Sequence, residues 1–238
     1  MKHWEQRERA RQVLARETGY VLKPHGGRLR IALAFPNTYW VGMSSLGFQT
    51  VYRLFNQIDG VVCERVFLPP KQELRAQVEA GTPLLTLESQ TPVGDFDVIA
   101  FSVSFEWDYT NLVTMLRLAG VPARAEQRSG RHPLVVVGGA VTFVNPEPLA
   151  PFADVIAAGE GEMLIPDLVT ALRETSGREE LYSALAGRRG FYIPSLYDVR
   201  YSETGAIAAM EPRAGSGAPA VVKKAAVKAT DHLDPPAT

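Results

Sequence analysis

The chain has 238 residues, of which 46% are hydrophobic and 21% charged, which is typical of a soluble globular protein. Its formal net charge of −1 gives no indication of binding to nucleic acid or of attraction to an anionic membrane. The single cysteine, Cys63, excludes a disulfide framework, a zinc ribbon and an iron–sulfur cluster held by this chain alone. The four histidines are scattered and lack the spacing of metal ligands.

The N-terminal residues predict a polar helix in a cytoplasmic protein. Residues 3–17 are rich in Glu, Arg, Gln and Ala, and Gly19 ends the predicted helix. This start of the chain is charged and has no signal-peptide core, and no apolar run reaches membrane length. Together with the connector at residues 24–27, the helix forms a predicted N-terminal unit, residues 1–27.

Strands and helices alternate through residues 28–176, the predicted main domain. Apolar, largely β-branched segments predict five strands, at residues 30–35, 61–67, 97–104, 134–137 and 155–158. Apolar residues at helical spacing predict helices that begin after Ser44 or Ser45, at Lys71, after a cap at Asp108, and at Glu162 or, because of Pro166, later. The alternation predicts an α/β fold with a parallel sheet and helices on both faces, and a flavodoxin-like strand order, 2-1-3-4-5, fits five strands.

Two finer predictions concern this domain. Residues 84–87 form a short extra strand, and one face of the helix after Ser45 packs on the sheet. The residues predicted for that face are Met43, Leu46, Thr50, Leu54 and Ile58.

The character of the sequence changes after residue 176. A short helix at residues 179–186 and a hairpin of residues 197–201 and 206–211 predict a small extension, residues 177–212. Residues 213–220 are rich in Gly, Pro and Ala, and residues 221–228 are suited to one more strand. Residues 213–238 as a whole are interpreted as a flexible linker.

Glycines follow two neighbouring predicted strands. Gly138 and Gly139 end the fourth, and Gly159 and Gly161 follow the fifth. Glycine at the carboxyl end of a strand permits a sharp turn or a close approach, and ligands of open α/β sheets lie at that edge. We therefore expect the glycines to admit a bulky ligand. The acidic residues of the second pair, Glu160 and Glu162, either line the rim of the site or interact favourably with a helix dipole.

Other side chains at the same predicted edge extend the candidate site. Ser102 and Ser104 share one face near the end of the third strand, and Glu106 and Asp108 follow them, Asp108 most simply as a helix cap. The glycines of residues 42–47 have Walker spacing, but Phe48 and Gln49 follow where Lys and Ser or Thr are required.

Four segments resemble the N-terminal domain of B12-binding radical SAM proteins. They are FPNTYWVGMSSLGFQTVY (35–52), FSVSFEWDYTN (101–111), VVVGGAVTFVNPEPLAPFAD (135–154) and GEGE (159–162). The resemblance covers about residue 28 to the C-terminus and implies a cobalamin-binding accessory domain that is not catalytic alone. It also implies a partner, a radical SAM barrel in cis or in trans. That barrel would supply the 4Fe–4S cluster and S-adenosylmethionine, because its Cys-x-x-x-Cys-x-x-Cys motif is absent from this chain.

The resemblance also implies roles for individual residues. The loop after the first strand would face the lower side of the corrin, through Asn37, Thr38, Tyr39, Gly42, Met43 and Ser44. Ser102 and Ser104 would line the slot for the nucleotide tail, with Gly138 and Gly139 opening it. The rim would comprise Glu106, Gly159, Glu160, Gly161 and Glu162.

The loop departs from the Asp-x-His-x-x-Gly pattern of mutase-type cobalamin domains. The matching positions are Asn37, Tyr39 and Gly42, so the imidazole that binds cobalt is absent. Tyrosine is a poor substitute because its phenol stays protonated near neutral pH. Cobalamin is therefore expected to bind base-off without a protein ligand below the cobalt, or the cofactor has been lost from the fold.

Two alternatives remain open. The first is a cofactor-free docking module that caps a radical SAM barrel through the hairpin and the basic residues Arg213, Lys223, Lys224 and Lys228. The second is a flavin or nucleotide binder that uses hydroxyl groups near Asn37–Thr38 and Ser44–Ser45.

Overall fold

The computed structural model of the protein describes residues 3–227. Within this range the fold is mixed α/β, with a mainly parallel six-stranded sheet and a separate two-stranded hairpin. The strands of the sheet are β1 Leu29–Phe35, β2 Val61–Phe67, β3 Val98–Ser102, β4 Leu134–Gly138, β5 Val155–Ala157 and β6 Phe191–Tyr192. The hairpin pairs β7 Tyr197–Tyr201 with β8 Ile207–Pro212.

The order of strands in the sheet is β2-β1-β3-β4-β5-β6. The first five are parallel, and their order is the predicted 2-1-3-4-5. The sixth strand was not predicted. It has two residues and pairs antiparallel with β5, placing Tyr192 beside Ile156 and Phe191 beside Ala157. The order is compatible with a flavodoxin-like arrangement.

Helices cover both faces of the sheet. They are α1 His3–Leu14, α2 Tyr39–Met43, α3 Leu46–Gln57, α4 Lys71–Ala80, α5 Tyr109–Leu118, α6 Gly161–Glu174 and α7 Arg178–Leu185. Helices α3 and α6 pack on one face, where Ile31 and Leu33 of β1 point. Helix α5 packs on the other face, where Val135 and Val137 of β4 point. No helix in this described range is long and apolar enough to cross a membrane.

The predicted inner face of α3 is only partly right, because Met43, Leu54 and Ile58 pack against the core as expected but the main buried residues were missed. The deeply buried side chains are Phe48, Tyr52 and Phe55, whereas Leu46 is 59% exposed. The Ser45 hydroxyl accepts a hydrogen bond from the Phe48 N–H, which fixes the start of the helix and turns Leu46 outward. Because aromatic rings bury the most apolar area, the aromatic residues decide which face packs on the sheet.

Two other predicted element boundaries differ from the structure. Residues 84–87 make a single bridge, Leu85 to Pro92, instead of a strand. Helix α6 begins at Gly161, ahead of the later start that Pro166 suggested. Proline in a helix removes one backbone hydrogen bond, here to the Glu162 carbonyl, and the remaining turns of α6 tolerate that loss.

The predicted last strand is also reduced to one bridge among the described residues. Ala225 pairs parallel with Gly159, and its side chain is buried. Lys228 and the rest of the predicted linker, residues 229–238, lie outside the described residues, as do residues 1–2 of the predicted N-terminal unit.

Candidate functional site

A cavity of about 410 Å³ opens at the carboxyl ends of β3, β4 and β5, between the sheet and helices α3 and α6. Its floor consists of small residues on one face of the sheet: Ala100, Ser102, Gly138 and Ala157. Larger side chains of the two helices, such as Phe55 and Leu164, form the walls. The cavity exists because these small side chains leave the space between the sheet and the two helices unfilled.

The structure gathers eight of the predicted site residues around this cavity. They are Ser102, Ser104, Gly138, Gly139, Gly159, Glu160, Gly161 and Glu162. Residues of the floor and walls were missed, among them Ala100, Ala157, Thr50 and Phe143. The only trace of the missed floor residues in the sequence is the alanine in two of the apolar strands, Ala100 and Ala157, and it was overlooked.

Two of the glycines are also required by packing within the chain. A Cβ atom on Gly139, where φ is +100°, would lie 2.5 Å from the Val103 carbonyl oxygen. A Cβ atom on Gly159, where φ is +148°, would lie 2.3 Å from the Ala225 carbonyl oxygen. Another segment of this chain therefore occupies the side-chain position of each, which is a reason for glycine that the local sequence does not reveal.

Gly138 is different because its side-chain position is open. A Cβ atom there would be 3.5 Å from the Ala157 carbonyl oxygen, an ordinary contact, and φ is not left-handed. Gly138 lines the cavity on the same strand face as Val136. A side chain at position 138 would therefore enter the cavity.

The polar groups of the cavity are hydroxyls and two carboxylates. Ser102, Ser104 and Thr50 supply hydroxyls, and Glu160 and Glu162 lie where α6 begins. The Glu160 side chain makes no helix-capping hydrogen bond and instead accepts the backbone N–H of Val227. An ionised carboxylate accepts hydrogen bonds but has none to donate. This rim therefore suits a ligand that presents N–H or O–H donors.

The predicted residues of the loop after β1 do not line this cavity. They are Asn37, Thr38, Tyr39, Gly42, Met43 and Ser44. Thr38 and Tyr39 line a separate cavity of about 310 Å³ beneath α1. Gly42 is required for packing, because a Cβ atom would lie 2.5 Å from the Phe67 ring.

The remaining residues of that loop are engaged within the chain. The Met43 sulfur lies 3.3 Å from Nη1 of Arg65, and the Ser44 hydroxyl donates to the Val41 carbonyl at 2.7 Å. The Tyr39 hydroxyl donates to Oε1 of Glu17 at 2.5 Å. Burial, together with that carboxylate, raises the pKa of Tyr39 to about 12. Its phenol is thus protonated and already bonded.

The segment after β3 also differs from expectation. Glu106 lies in a short 3-10 turn, is exposed and does not line the cavity. Asp108 is 1% exposed and makes no side-chain cap of α5. Its Oδ1 atom accepts hydrogen bonds from the amides of Asn37 and Asn111, both at 3.0 Å. The predicted cap is therefore a buried link between the loops after β1 and β3.

Exposed aromatic side chains lie in the loops at the same edge of the sheet. Trp40 follows β1, Phe105 and Trp107 follow β3, and Phe143 follows β4. Trp40 and Trp107 are 77% and 75% exposed, which is unusual for such large apolar side chains. The rings of Phe105 and Trp107 lie 5.4 Å apart, and exposed apolar side chains that lie together indicate an interaction surface. We call these four residues the aromatic rim.

The sequence of residues 47–194 matches the family described as radical SAM proteins, N-terminal. The chain belongs to this family. The matched region contains most of the cavity, from Gly47 to Leu168, whereas the loop at residues 36–46 lies outside it. Membership in the radical SAM N-terminal family identifies the chain as an accessory domain of a radical SAM protein. No curated protein matches the chain.

Proposed function

We propose that this radical SAM accessory domain has a flavodoxin-like, cobalamin-binding fold and holds cobalamin in the cavity at the carboxyl ends of β3 to β5. The observation that carries the proposal is the slot itself, which lies between the sheet and helices α3 and α6 over a floor of small residues. Its volume of about 410 Å³ is in the range of small-molecule sites. Ligands of open α/β sheets bind at this edge.

The residues present fit the parts of that cofactor. The apolar walls accommodate a flat aromatic base, and the hydroxyls of Ser102 and Ser104 are available at its edge. Glu160 and Glu162 would accept hydrogen bonds from the side-chain amides of a corrin. When bound, cobalamin supplies the cobalt centre that serves methyl transfer and other radical reactions.

In this proposal no residue of the described chain would bind the cobalt. The candidate in the loop after β1, Tyr39, has a pKa raised to about 12 and donates a hydrogen bond to Glu17. Deprotonating it would leave a phenolate beside a carboxylate, which electrostatics disfavours. Cobalamin would therefore bind base-off, with its tail in the slot.

The radical SAM barrel would act with this domain in cis or in trans and would provide S-adenosylmethionine and the 4Fe–4S cluster. A second candidate function is favoured by the aromatic rim, whose exposed side chains would serve for docking whether or not the cavity is filled. In that case the domain would orient the barrel and bind no cofactor.

Filling the slot at Gly138 tests the first candidate. The variant Gly138→Leu should weaken the binding of hydroxocobalamin by about fivefold or more, because overpacking a tight site costs about 1–3 kcal/mol. The graded variant Gly138→Ala, whose methyl group makes only ordinary contacts, should bind within about threefold of the wild type. Absorption titration measures both.

The matched control is Gly130→Leu, the same substitution at a glycine with no neighbouring atoms within 4 Å of its Cβ position. It should leave binding unchanged. If Gly138→Leu folds, as circular dichroism reports, and still binds like the wild type, the slot is not where the ligand lies. If no variant binds, including the wild type, the docking function replaces the cofactor function.

A further inference from the structure

Residues 223–227, which we call the strap, run along the β5 side of the cavity mouth. The Lys223 carbonyl accepts the Gly190 N–H at 2.8 Å. Ala225 donates its N–H to the Ala158 carbonyl at 3.0 Å and accepts the Glu160 N–H at 3.1 Å. The strap is thus joined by backbone hydrogen bonds to the residues that follow β5.

Two glycines keep the docking place of the strap free of side chains. At Gly159 a Cβ atom would lie 2.8 Å from the Ala225 Cβ, and at Gly190 the same distance would be 3.0 Å. The Ala225 side chain fills this gap and is 6% exposed. Its neighbour Ala226 points outward and is exposed. The docked position is therefore specific for a small residue at position 225.

The strap contacts the cavity rim at two residues that line the cavity. The Glu160 carboxylate accepts the Val227 N–H. The Lys224 ammonium lies 5.3 Å from the centre of the Phe143 ring. The Lys224 contact is exposed to solvent and correspondingly weak. A segment held by a few backbone hydrogen bonds and one small buried side chain opens locally at low cost.

We propose that the strap is a movable segment beside the cavity rim, and that the ligand of the cavity and the Val227 N–H compete for the Glu160 carboxylate. This rests on the proposed function, since it needs a ligand that donates hydrogen bonds at the rim. Filling the cavity then frees the strap from the rim. Ligand binding is thereby coupled to the position of residues 223–227.

Two pairs of full-length variants test the coupling, with hydroxocobalamin as the probe. Ala225→Leu does not fit between Gly159 and Gly190, and Val227→Pro lacks the N–H that Glu160 accepts. Each should bind the probe more tightly than the wild type, by about fivefold or more, the range of typical coupling effects. The matched controls Ala226→Leu, at an exposed position, and Val227→Ala, which keeps the N–H, should bind like the wild type.

Trypsin reports the position of the strap independently. In the ligand-free wild type, the bond after Lys224 is protected because Ala225 is hydrogen-bonded and buried. Saturating hydroxocobalamin should speed cleavage there by about fivefold or more, and Ala225→Leu should be cleaved quickly with or without the probe.

The outcomes separate the two proposals. Binding that is equal in all variants, with cleavage unaffected by the probe, overturns the strap and leaves the cofactor site standing. Absence of binding in the wild type and in every variant overturns the cofactor site and, with it, the competition. If Ala225→Leu and Val227→Pro bind the probe but the wild type does not, both proposals are supported, and the docked strap prevents binding.

Discussion

At the scale of single residues, Asp108 carries a buried carboxyl group with one satisfied and one unsatisfied oxygen. Oδ1 accepts two amide hydrogen bonds, whereas Oδ2 has no hydrogen-bond partner among residues 3–227. Burial raises the pKa of Asp108, although the hydrogen bonds from Asn37 and Asn111 oppose the shift. An ionised carboxylate here destabilises the fold, since its second oxygen is buried and accepts no hydrogen bond from residues 3–227.

The variant Asp108→Asn should therefore be at least as stable as the wild type at neutral pH. The pKa of Asp108 in the folded state lies above its unfolded value near 3.9. The carboxyl group therefore contributes its full stability below about pH 3.9, and this contribution is lost as the pH rises through the folded pKa. The stability advantage of Asp108→Asn over the wild type should thus shrink on acidification. Urea unfolding at several pH values measures this difference.

The control for that prediction is Asp108→Ala, which leaves the two amides without their acceptor. It should lower the free energy of unfolding by about 1–3 kcal/mol at every pH, because buried donors lose their partner. If Asp108→Asn were as destabilising as Asp108→Ala at neutral pH, the carboxyl would be a stabilising charge and this account of it would be wrong.

Glycines show where residue-level prediction from the sequence ends. Gly138, Gly139 and Gly159 all follow buried strands, and the sequence correctly predicts that they gather at one edge. The first faces a cavity, the second faces Val103, and the third faces Ala225. Which segment lies across a glycine depends on residues far away in the chain, so the local pattern cannot separate the three roles.

At the scale of elements, a buried ion group attaches the N-terminal segment to the sheet. Arg65 of β2 contacts Glu17 and Glu88, each at 2.7 Å, and stacks on the Tyr52 ring at 4.8 Å. Its side chain and that of Glu88 are almost completely buried. The N-terminal segment and the loop at residues 84–92 are therefore held by one guanidinium group, whose flat fork of donors suits two carboxylates.

Replacing that guanidinium should be strongly destabilising. Arg65→Met leaves Glu88 buried without its counter-ion, and breaking a buried pair in this way costs about 3–5 kcal/mol. The matched control, Arg200→Met, breaks an exposed pair with Glu211 at 2.8 Å and should cost no more than about 1 kcal/mol. Equal losses of unfolding free energy in the two variants would show that the buried group is not a fold-determining contact.

The elements themselves were largely predictable. The five parallel strands follow from apolar runs that alternate with helical patterns, whereas their order was taken from the usual flavodoxin-like arrangement and not from the residues. The sixth strand has two residues, which is too short to leave a periodic signal. Residues 84–87 have strand-like composition, but Thr86 bonds the Glu64 carboxylate and Leu87 bonds the Arg65 carbonyl, so side-chain contacts and a single bridge replace a ladder.

At the scale of the whole molecule, the cavity is assembled from segments far apart in the chain. The carboxyl edge was predictable, because parallel strands end together there. The floor of small residues was not, since their joint effect depends on the strand order and on the distance at which α3 and α6 pack. The separation of the loop after β1 from this cavity was also not predictable, because it depends on contacts with Glu17 and Arg65.

The central claim is that this accessory domain binds cobalamin without a protein ligand to the cobalt. The most direct measurement is a visible-absorption titration of the purified chain with hydroxocobalamin, followed by gel filtration. We predict that colour elutes with the protein in a 1:1 ratio and shows the spectrum of the base-off form. Colourless protein would contradict the claim, and a base-on or histidine-like spectrum would contradict the proposed axial arrangement.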